Sequence, residues 1–474
     1  MNSHLDRGRG ISLRAWVGAL AAVGAMGMAS PPALGQSRQN VFDSFNDAGI
    51  LRTASLDGKP LDDRGAFFQS LGSNGRSCGS CHVVSTAWTI SPDEVQERFE
   101  RTDGLDPIFR TNDGSNSPTA KVDSKKARRA AYSMLLSKGV IRVGLPIPAG
   151  AEFDLVKVDD PYKHASAQDL SLFRRPLPST NLRFLTGVMW DGRESFPGLG
   201  TTPILASATP DQNLEALVSD LLHQANDATT GHAQGSPLTA DQAEAIVRFE
   251  VNLVTAQRYD WSAGPLGADG ALGGPANLAL QPFYVTINDV LNADTAGKAF
   301  QPESMTLYDA WSGSRDHDQA SVARGAALFG STRIKITGVG GLNDALGITV
   351  ITGSCTTCHD SPNVGNHSVA LPIDIGITDA SRRSADMPLY TLRNRATGKT
   401  RQTTDPGRAL LTGKWADIGK FKGPVLRALA ARPPYFHDGS AASLEEVIEF
   451  YDTRFGIGFT RREKEDLIAF LSAL

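Results

Sequence analysis

The 474-residue chain has four cysteines, and all of them fall in two copies of the pattern C-x-x-C-H. The copies are Cys78-Gly-Ser-Cys81-His82 and Cys355-Thr-Thr-Cys358-His359. Two thiols at this spacing can form thioether links to the vinyl groups of a haem, and the adjacent histidine then reaches the iron as an axial ligand. A structural zinc site would need a fourth Cys or His beside each motif. The spacing therefore predicts two covalently bound haem c groups.

Similar segments surround the two motifs in the same order, which indicates two domains related by internal duplication. Arg64-Gly-Ala-Phe-Phe68 precedes the first motif, and Arg324-Gly-Ala-Ala-Leu-Phe329 precedes the second. Both patterns predict a helix that leads into the haem loop. Downstream, Met189-Trp190-Asp191-Gly192-Arg193 and Tyr435-Phe436-His437-Asp438-Gly439 each supply an Asp-Gly turn.

The helices that close the two copies have matching sequence patterns. Thr239 and Thr460 are predicted N-caps, and Gln242 and Glu463 three residues later complete two capping boxes. Apolar residues then recur at identical offsets, as Ile246, Val247, Phe249, Leu253 and as Leu467, Ile468, Phe470, Leu474. This repeated stripe predicts two equivalent helices, each facing a core that includes a haem.

These patterns predict a mainly α-helical protein of two cytochrome c-like haem domains with long loops. The domains span residues 36–262 and 275–474, and the Gly-, Ala- and Pro-rich stretch 262–275 is the predicted linker. Further amphipathic helices are predicted around Leu214 to Leu222 and Leu444 to Tyr451. Strand patterns are few, but Ile334 to Val339 and Ile348 to Thr352 are expected to pair as a hairpin.

Residues 1–35 have the pattern of a secretory signal peptide, which predicts a periplasmic protein. Arg7, Arg9 and Arg14 precede an apolar run from Ala15 to Ala29, and Ala33-Leu-Gly35 then offers small residues at cleavage positions. An uncleaved N-terminal anchor is the alternative interpretation of this run. No later stretch is apolar enough to cross a membrane, and a net charge of −4 gives no basis for nucleic-acid binding.

From about residue 60 to 474 the chain resembles the bacterial dihaem cytochrome c peroxidase and MauG superfamily. The resemblance lies in the two C-x-x-C-H motifs, in Trp190-Asp-Gly-Arg193, and in Pro434-Tyr-Phe-His-Asp-Gly-Ser440 followed by Leu444-Glu-Glu446. It implies that hydrogen peroxide reacts at the N-terminal haem, with Trp190 between the two haems. The C-terminal haem would receive electrons from a small protein such as a cytochrome c or a cupredoxin. The alternative role for Trp190 is that of a core aromatic residue.

The resemblance also implies a second axial ligand at the C-terminal haem. Typical peroxidases of this family have a methionine there, but this sequence has none after Met387. Tyr451 occupies the position at which MauG-like members have a ligating tyrosine, and Leu444, Val447, Ile448 and Tyr451 share one helical face. The alternatives are a buried, hydrogen-bonded core tyrosine, with Met387 or His437 as the ligand.

Peroxide cleavage needs a group that moves a proton between the two oxygens. The family segment has a glutamate ten residues after a glutamine, but ten residues after Gln224 this chain has Gln234. His232 lies two residues earlier and can shuttle a proton, because imidazole titrates near neutrality. The alternative is a loop histidine beside the helix at Thr239. His164 is a second candidate, for blocking the N-terminal haem in the resting state.

Two expectations complete the interpretation. The resemblance allows a calcium ion near the loop Arg174 to Asn181, with no ligands assigned. The predicted function is a dihaem peroxidase acting on hydrogen peroxide. A MauG-like enzyme that oxidises side chains of a partner protein and a dihaem electron-transfer cytochrome are the alternatives.

Overall fold

The computed structural model describes residues 40–195, 209–291, 293–369 and 371–474. The predicted signal peptide therefore lies outside the described residues. Short runs of helices and of strands follow one another along the described ranges. The helices are α1 (Pro92–Thr102), α2 (Lys125–Ala131), α3 (Ser133–Lys138), α4 (Pro210–Gly231), α5 (Ala240–Val251), α6 (Pro275–Ala279), α7 (His317–Ser331), α8 (Asn343–Leu346), α9 (Ala409–Thr412), α10 (Leu444–Phe455) and α11 (Arg461–Ser472).

The strands form small antiparallel sheets with the orders β1-β2-β6-β7, β11-β10-β4, β3-β5 and β8-β9. Their bounds are β1 (Val41–Asn46), β2 (Gly49–Ser55), β3 (Ile141–Leu145), β4 (Phe153–Asp159), β5 (Leu170–Arg174), β6 (Leu253–Asp260), β7 (Gly264–Pro265), β8 (Ile334–Thr337), β9 (Val350–Gly353), β10 (Leu389–Asn394) and β11 (Thr400–Thr403). Helix, at 33%, outweighs strand, at 17%, which does not conflict with the mainly helical expectation, although there is more strand than the sequence patterns indicated.

The predicted hairpin in the second copy is confirmed. Strands β8 and β9 pair with Ile336 opposite Ile351. Along β8 the buried Ile334 and Ile336 alternate with the exposed Lys335, as a half-buried strand requires. The two isoleucines turn their side chains toward the C-terminal haem motif.

The closing helices are also confirmed, including both caps. In α5 the Thr239 side chain accepts from the Gln242 backbone N–H, and Thr460 does the same with Glu463 in α11. In return, the side-chain oxygens of Gln242 and Glu463 accept from the backbone N–H of the cap threonine. Both bonds satisfy backbone donors that the start of a helix would otherwise leave unpaired. The first three stripe residues of each helix face the protein interior. The last residue of each predicted stripe lies beyond the helix end, however, and Leu253 belongs to strand β6 while Leu474 follows α11.

The segments before the two haem motifs differ, and this corrects one prediction. Arg324 to Phe329 lies within helix α7, which crosses α11 closely at Gly325, where a Cβ would lie 2.0 Å from the Asp466 carbonyl oxygen. Arg64 to Phe68 forms only a 3-10 turn at Ala66–Phe68, so the helix predicted there was wrong. The chain is extended on both sides of that turn. The pair Phe67 and Phe68 instead joins an aromatic cluster with Trp88 and Phe249.

Contacts join the two predicted domains at several places. Strand β4 pairs with β10, and Ala263, Leu266 and Ala271 of the predicted linker are buried in the core of the C-terminal half. Residues Gln39–Leu474 form one compact unit. The division into 36–262 and 275–474 therefore stays a prediction. Among the described residues, no helix combines the length and apolar character that a membrane span requires.

Candidate haem sites

The first C-x-x-C-H motif lines a cavity, called here the first cavity. A 3-10 turn at Cys78–Ser80, capped by Ser77, brings Cys78, Cys81 and His82 to one wall. Helix α4 supplies Leu221, Gln224 and Ala225, and α5 supplies Ile246 and Glu250. Burial raises the pKa of both cysteine thiols.

The second motif lines another cavity, called here the second cavity, in the same way. Its 3-10 turn is Cys355–Thr357, capped by Ser354, and His359 follows. Helix α10 and helix α11 form much of the opposite wall, with Leu444, Val447, Ile448, Tyr451, Leu467 and Leu471. The lining is mostly apolar, as expected for a site that encloses a large planar group.

The two motif histidines are oriented as haem ligands would be. The Nδ1 atom of His82 lies 2.9 Å from the carbonyl oxygen of Trp88, and that of His359 lies 2.6 Å from the carbonyl oxygen of Gly365. Because a carbonyl can only accept, each Nδ1 carries the proton and each Nε2 is left unprotonated for a metal. Burial lowers the pKa of His82 to about 4 and also lowers that of His359. Both motifs therefore fit covalent haem c.

Tyr451 lies in the wall of the second cavity, on the face of α10 that the helical spacing predicted. Burial, and then the nearby Cys358 and Cys355, raises the pKa of its hydroxyl. Its ring packs among Phe436, Phe450 and Phe455. No hydrogen bond from its hydroxyl to any described residue is present, whereas a buried core tyrosine ordinarily has one. The hydroxyl is thus free to face a bound group.

The two alternative ligands for the C-terminal haem, His437 and Met387, lie in different parts of the protein. His437 lines the second cavity, is fully buried, and has no hydrogen-bond partner on either ring nitrogen among the described residues. Its ring lies 4.3 Å from that of Phe421, measured between centroids. Met387 packs with Met134, Val140 and Phe173 in a separate cluster and is not in the cavity lining.

Trp190 lines both cavities. Its indole N–H donates to the carbonyl oxygen of Arg175 at 2.8 Å, and its ring lies 6.3 Å from the ring of His437. The turn that follows is anchored by Asp191, which accepts from the buried Arg174 at 2.5 Å. Arg174 also binds Asp405, at 2.7 Å. Trp190 is thus held firmly in the partition between the two cavities.

His232 also lines the first cavity, with 39% of its side chain exposed. Its Nδ1 lies 2.5 Å from Oδ2 of Asp113, and the other oxygen of Asp113 pairs with Arg76. Burial disfavours the charge on Asp113, but the hydrogen bond to His232 and the Arg76 charge outweigh it and lower the pKa of this carboxyl. The arrangement leaves Nε2 of His232 as the nitrogen available to a substrate.

Asp113 and Arg76 are site residues that the sequence did not indicate. Asp113 stands in a polar loop with an Asp-Gly turn, and such pairs are common in turns without any function. Arg76 precedes Cys78 by two residues. A signal could have come only from knowing that Asp113 meets a histidine 119 positions away.

The remaining predicted residues lie away from the cavity linings. Gln234 is exposed, with φ of 53°, and its side-chain oxygen accepts from Asn74 at 3.3 Å. His164 is held by Asp169, with Nε2 2.7 Å from the carboxylate. Neither residue is in the lining of the first cavity.

The loop considered for calcium offers no free amide at its end. Asn181 donates to the Thr255 carbonyl at 2.8 Å and accepts from the Thr255 N–H at 2.9 Å. Elsewhere in the described ranges, a single group of three potential metal-binding side chains occurs, formed by Glu194, His223 and Asp227.

The chain is similar in sequence to cytochrome peroxidases. No family model matches the chain. It is 31% identical over 140 residues to cytochrome-c peroxidase IdrP1 of Pseudomonas sp. (strain SCT), which covers 25% of this chain and 36% of that protein. It is 25% identical over 260 residues to the cytochrome c551 peroxidase of Nitrosomonas europaea, covering 47% and 69%. The chain thus spans about a third of the length of the first relative and two thirds of the other.

Among solved structures, the chain is similar to the crystal structure of a MauG-like protein associated with microbial copper homeostasis. The TM-score is 0.34 at 16% identity, and 85% of each chain is covered. The relatives in sequence are thus peroxidases of the cytochrome c type, at low identity and over only part of this chain.

Proposed function

We propose that this protein is a periplasmic dihaem c-type peroxidase that reduces hydrogen peroxide to water with electrons from a small redox protein. The observation that supports it best is in the first cavity. His82 and His232 both line this cavity, and the buried carboxylate of Asp113 fixes the ring of His232. A cavity for electron transfer alone has no need of an oriented proton-transfer group.

In this proposal the side chains of the first cavity move the protons. Haem, when bound at His82, supplies the electrons and the coordination position at which peroxide reacts. His232 takes a proton through Nε2 from one peroxide oxygen and returns it to the other, so that the departing oxygen leaves as water. Asp113 stabilises the imidazolium that forms in between. Two electrons and two protons convert each peroxide molecule into two waters.

Trp190 and Tyr451 complete the proposal. Trp190, in the partition, serves as the route for electrons between the haems. Tyr451 would bind the iron of the haem held by Cys355, Cys358 and His359 through its phenolate oxygen. Because an anionic phenolate stabilises the ferric state more than a thioether does, that haem would have a low reduction potential. We therefore expect the fully oxidised protein to react with peroxide without prior reduction.

Stopped-flow mixing of the diferric protein with peroxide tests the proposal. A rapid change in the haem absorbance is expected, and its absence would contradict the reaction from the oxidised state. Tyr451→Phe should change the ferric spectrum of one haem. Tyr435→Phe is the matched control, because Tyr435 lines the same cavity but donates its hydroxyl to the Leu429 carbonyl at 3.1 Å. Its spectrum should match that of the wild type.

A second candidate is a MauG-like enzyme that oxidises side chains of a partner protein. The presence of Tyr451 in the second cavity favours it, because a tyrosine ligand suits the sharing of oxidising equivalents between two haems. Steady turnover of peroxide with a reduced cytochrome c or cupredoxin would support the peroxidase. A peroxide-dependent spectral change without such turnover would support the second candidate. A resting protein without a high-spin ferric signal would instead indicate an electron carrier.

A further inference from the structure

Three cationic side chains lie in the partition between the cavities. Arg175, Lys422 and Arg432 each line both the first and the second cavity. Arg175 follows strand β5 directly, and the other two come from a loop region more than two hundred residues later. Arg175 and Lys422 are only 5% and 7% exposed.

None of these cations has a carboxylate partner among the described residues. They donate to backbone carbonyls instead. Arg175 reaches Lys138 at 3.0 Å, Lys422 reaches Gly187 at 2.7 Å, and Arg432 reaches Val425 at 2.5 Å. The Nε atom of Arg432 is buried and has no hydrogen-bond partner among the described residues.

The neighbouring Arg174 shows what a balanced cation looks like in the same region. It is equally buried but is paired with both Asp191 and Asp405. The pKa of Arg174 is raised accordingly, because these carboxylates outweigh the effect of burial. For Arg175 and Lys422 burial prevails and lowers the pKa, to about 9 and about 7.

Buried cations such as Arg175 and Lys422 are costly without a counter-charge, because carbonyl dipoles replace water only in part. Arg175, Lys422 and Arg432 therefore have no carboxylate of their own, and the open space next to them lies in the two cavities. Haem c carries two propionate carboxylates. A carboxylate can accept two parallel hydrogen bonds from the planar guanidinium of an arginine, and it can form an ion pair with the compact charge of a lysine.

We propose that Arg175, Lys422 and Arg432 form a single anion-binding site that holds carboxylates of the haems in both cavities. The inference rests on the proposed function only in that both cavities hold haem. Since the same cations would face both groups, a change in charge at one haem is transmitted to the other. The partition thus couples the two reduction potentials electrostatically, independently of the electron route through Trp190.

The test is a spectroelectrochemical titration of the purified dihaem protein with Lys422→Gln. Removing a shared positive charge favours the oxidised form of each haem, so both midpoint potentials should fall. A tenfold change in the reduction equilibrium corresponds to about 59 mV for one electron. Lys420→Gln is the control, because Lys420 pairs with Asp417 at 3.1 Å and is in neither lining. Its potentials should remain those of the wild type.

A fall in only one potential, or in neither, would overturn the shared site. A wild-type potential that moves with chloride or phosphate concentration would overturn it too, because the anion would then be a free ion. If Lys422→Gln does not assemble, Arg432→Lys and Arg432→Gln replace it. The charge-conserving change should retain both potentials more closely than the neutral one, and equal effects would count against the site.

The failure of this inference is distinguishable from the failure of the proposed function. If the potentials of the variants are unchanged and peroxide turnover is intact, only the proposal of a shared anion-binding site is contradicted. A haem assay that gives one haem per chain would contradict both the shared site and the proposed dihaem function.

Discussion

At the residue scale, the pairing of His232 with Asp113 is the feature on which the proposed proton transfer depends. We expect His232→Gln to lower the rate of the peroxide reaction by about 10²- to 10⁴-fold, the usual range for loss of a general acid–base group. Asp113→Asn should cause a smaller loss, since it removes only the orienting charge. The measurement is the pseudo-first-order rate against peroxide concentration.

A matched control is His164→Gln. His164 is also bound to a carboxylate, at 2.7 Å, but lies outside the lining of the first cavity. It should react at the wild-type rate. If the His164 and His232 variants slow equally, the histidine in the cavity has no special role in proton transfer.

A second residue-scale prediction concerns Glu250, on helix α5. Its side chain lines the first cavity, is 5% exposed, and has one oxygen without a partner among the described residues. Burial raises its pKa to about 7 from the ordinary 4.5, although a hydrogen bond with Ser179 acts in the opposite direction. The folded protein therefore holds this proton at pH values where the unfolded chain has lost it.

The sign of the pH effect follows from that difference. Below pH 4.5 both states are protonated, and as pH rises from there to about 7 the free energy of unfolding decreases, on the order of 3 kcal/mol in total. Glu250→Gln should remove this decrease. Denaturant unfolding of the haem-loaded protein between pH 5 and 9 measures it. Glu244→Gln, exposed on the same helix, should keep the wild-type slope.

At the element scale, the crossing of α7 and α11 depends on Gly325. A Cβ at this position would meet backbone atoms of Asp466, which cannot move aside as a side-chain tip can. Gly325→Ala should therefore destabilise the protein by about 1–3 kcal/mol, the cost typical of overpacking. Thermal or denaturant unfolding measures the change.

Gly231, the last residue of helix α4, gives the control. An added Cβ there meets nothing within 4 Å. Gly231→Ala should leave the stability unchanged or raise it slightly, because alanine loses less backbone entropy on folding. Similar losses for both variants would show that general glycine effects, and not the helix crossing, determine the result.

The elements that the sequence predicted well are those specified locally. The capping boxes at Thr239 and Thr460 and the hairpin β8–β9 need information from fewer than twenty residues on either side. The strand pair β2–β6 was missed, because Leu51 opposes Gln257 about two hundred residues later. No local period indicates such a pairing.

The same reasoning applies to the candidate site. The cysteines and motif histidines were predicted because their chemistry is contained in five residues. Asp113 and the cations of the partition were not, because their significance comes from neighbours distant in sequence. The helix predicted at Arg64 to Phe68 failed because the aromatic cluster with Trp88 overrides local propensity there.

At the scale of the whole molecule, the predicted domains share one hydrophobic cluster. Phe153 and Leu172 from the N-terminal part pack with Tyr390 and Leu392 of β10. We expect a fragment of residues 275–474 to expose this face and the unpaired edge of β10, and so to aggregate. Size-exclusion chromatography of the fragment beside the full-length protein measures this. A monomeric fragment with a native haem spectrum would instead support independent domains.

The partition that Trp190 and its neighbouring cations form has a consequence for how this protein can change over generations. A substitution there changes the lining of both cavities at once, so a variant that improves the chemistry in one cavity will usually disturb that in the other. Selection for a new substrate is then expected to accumulate changes on the outer walls, around His232 or Tyr451. The partition itself should be the slowest part of the protein to diverge.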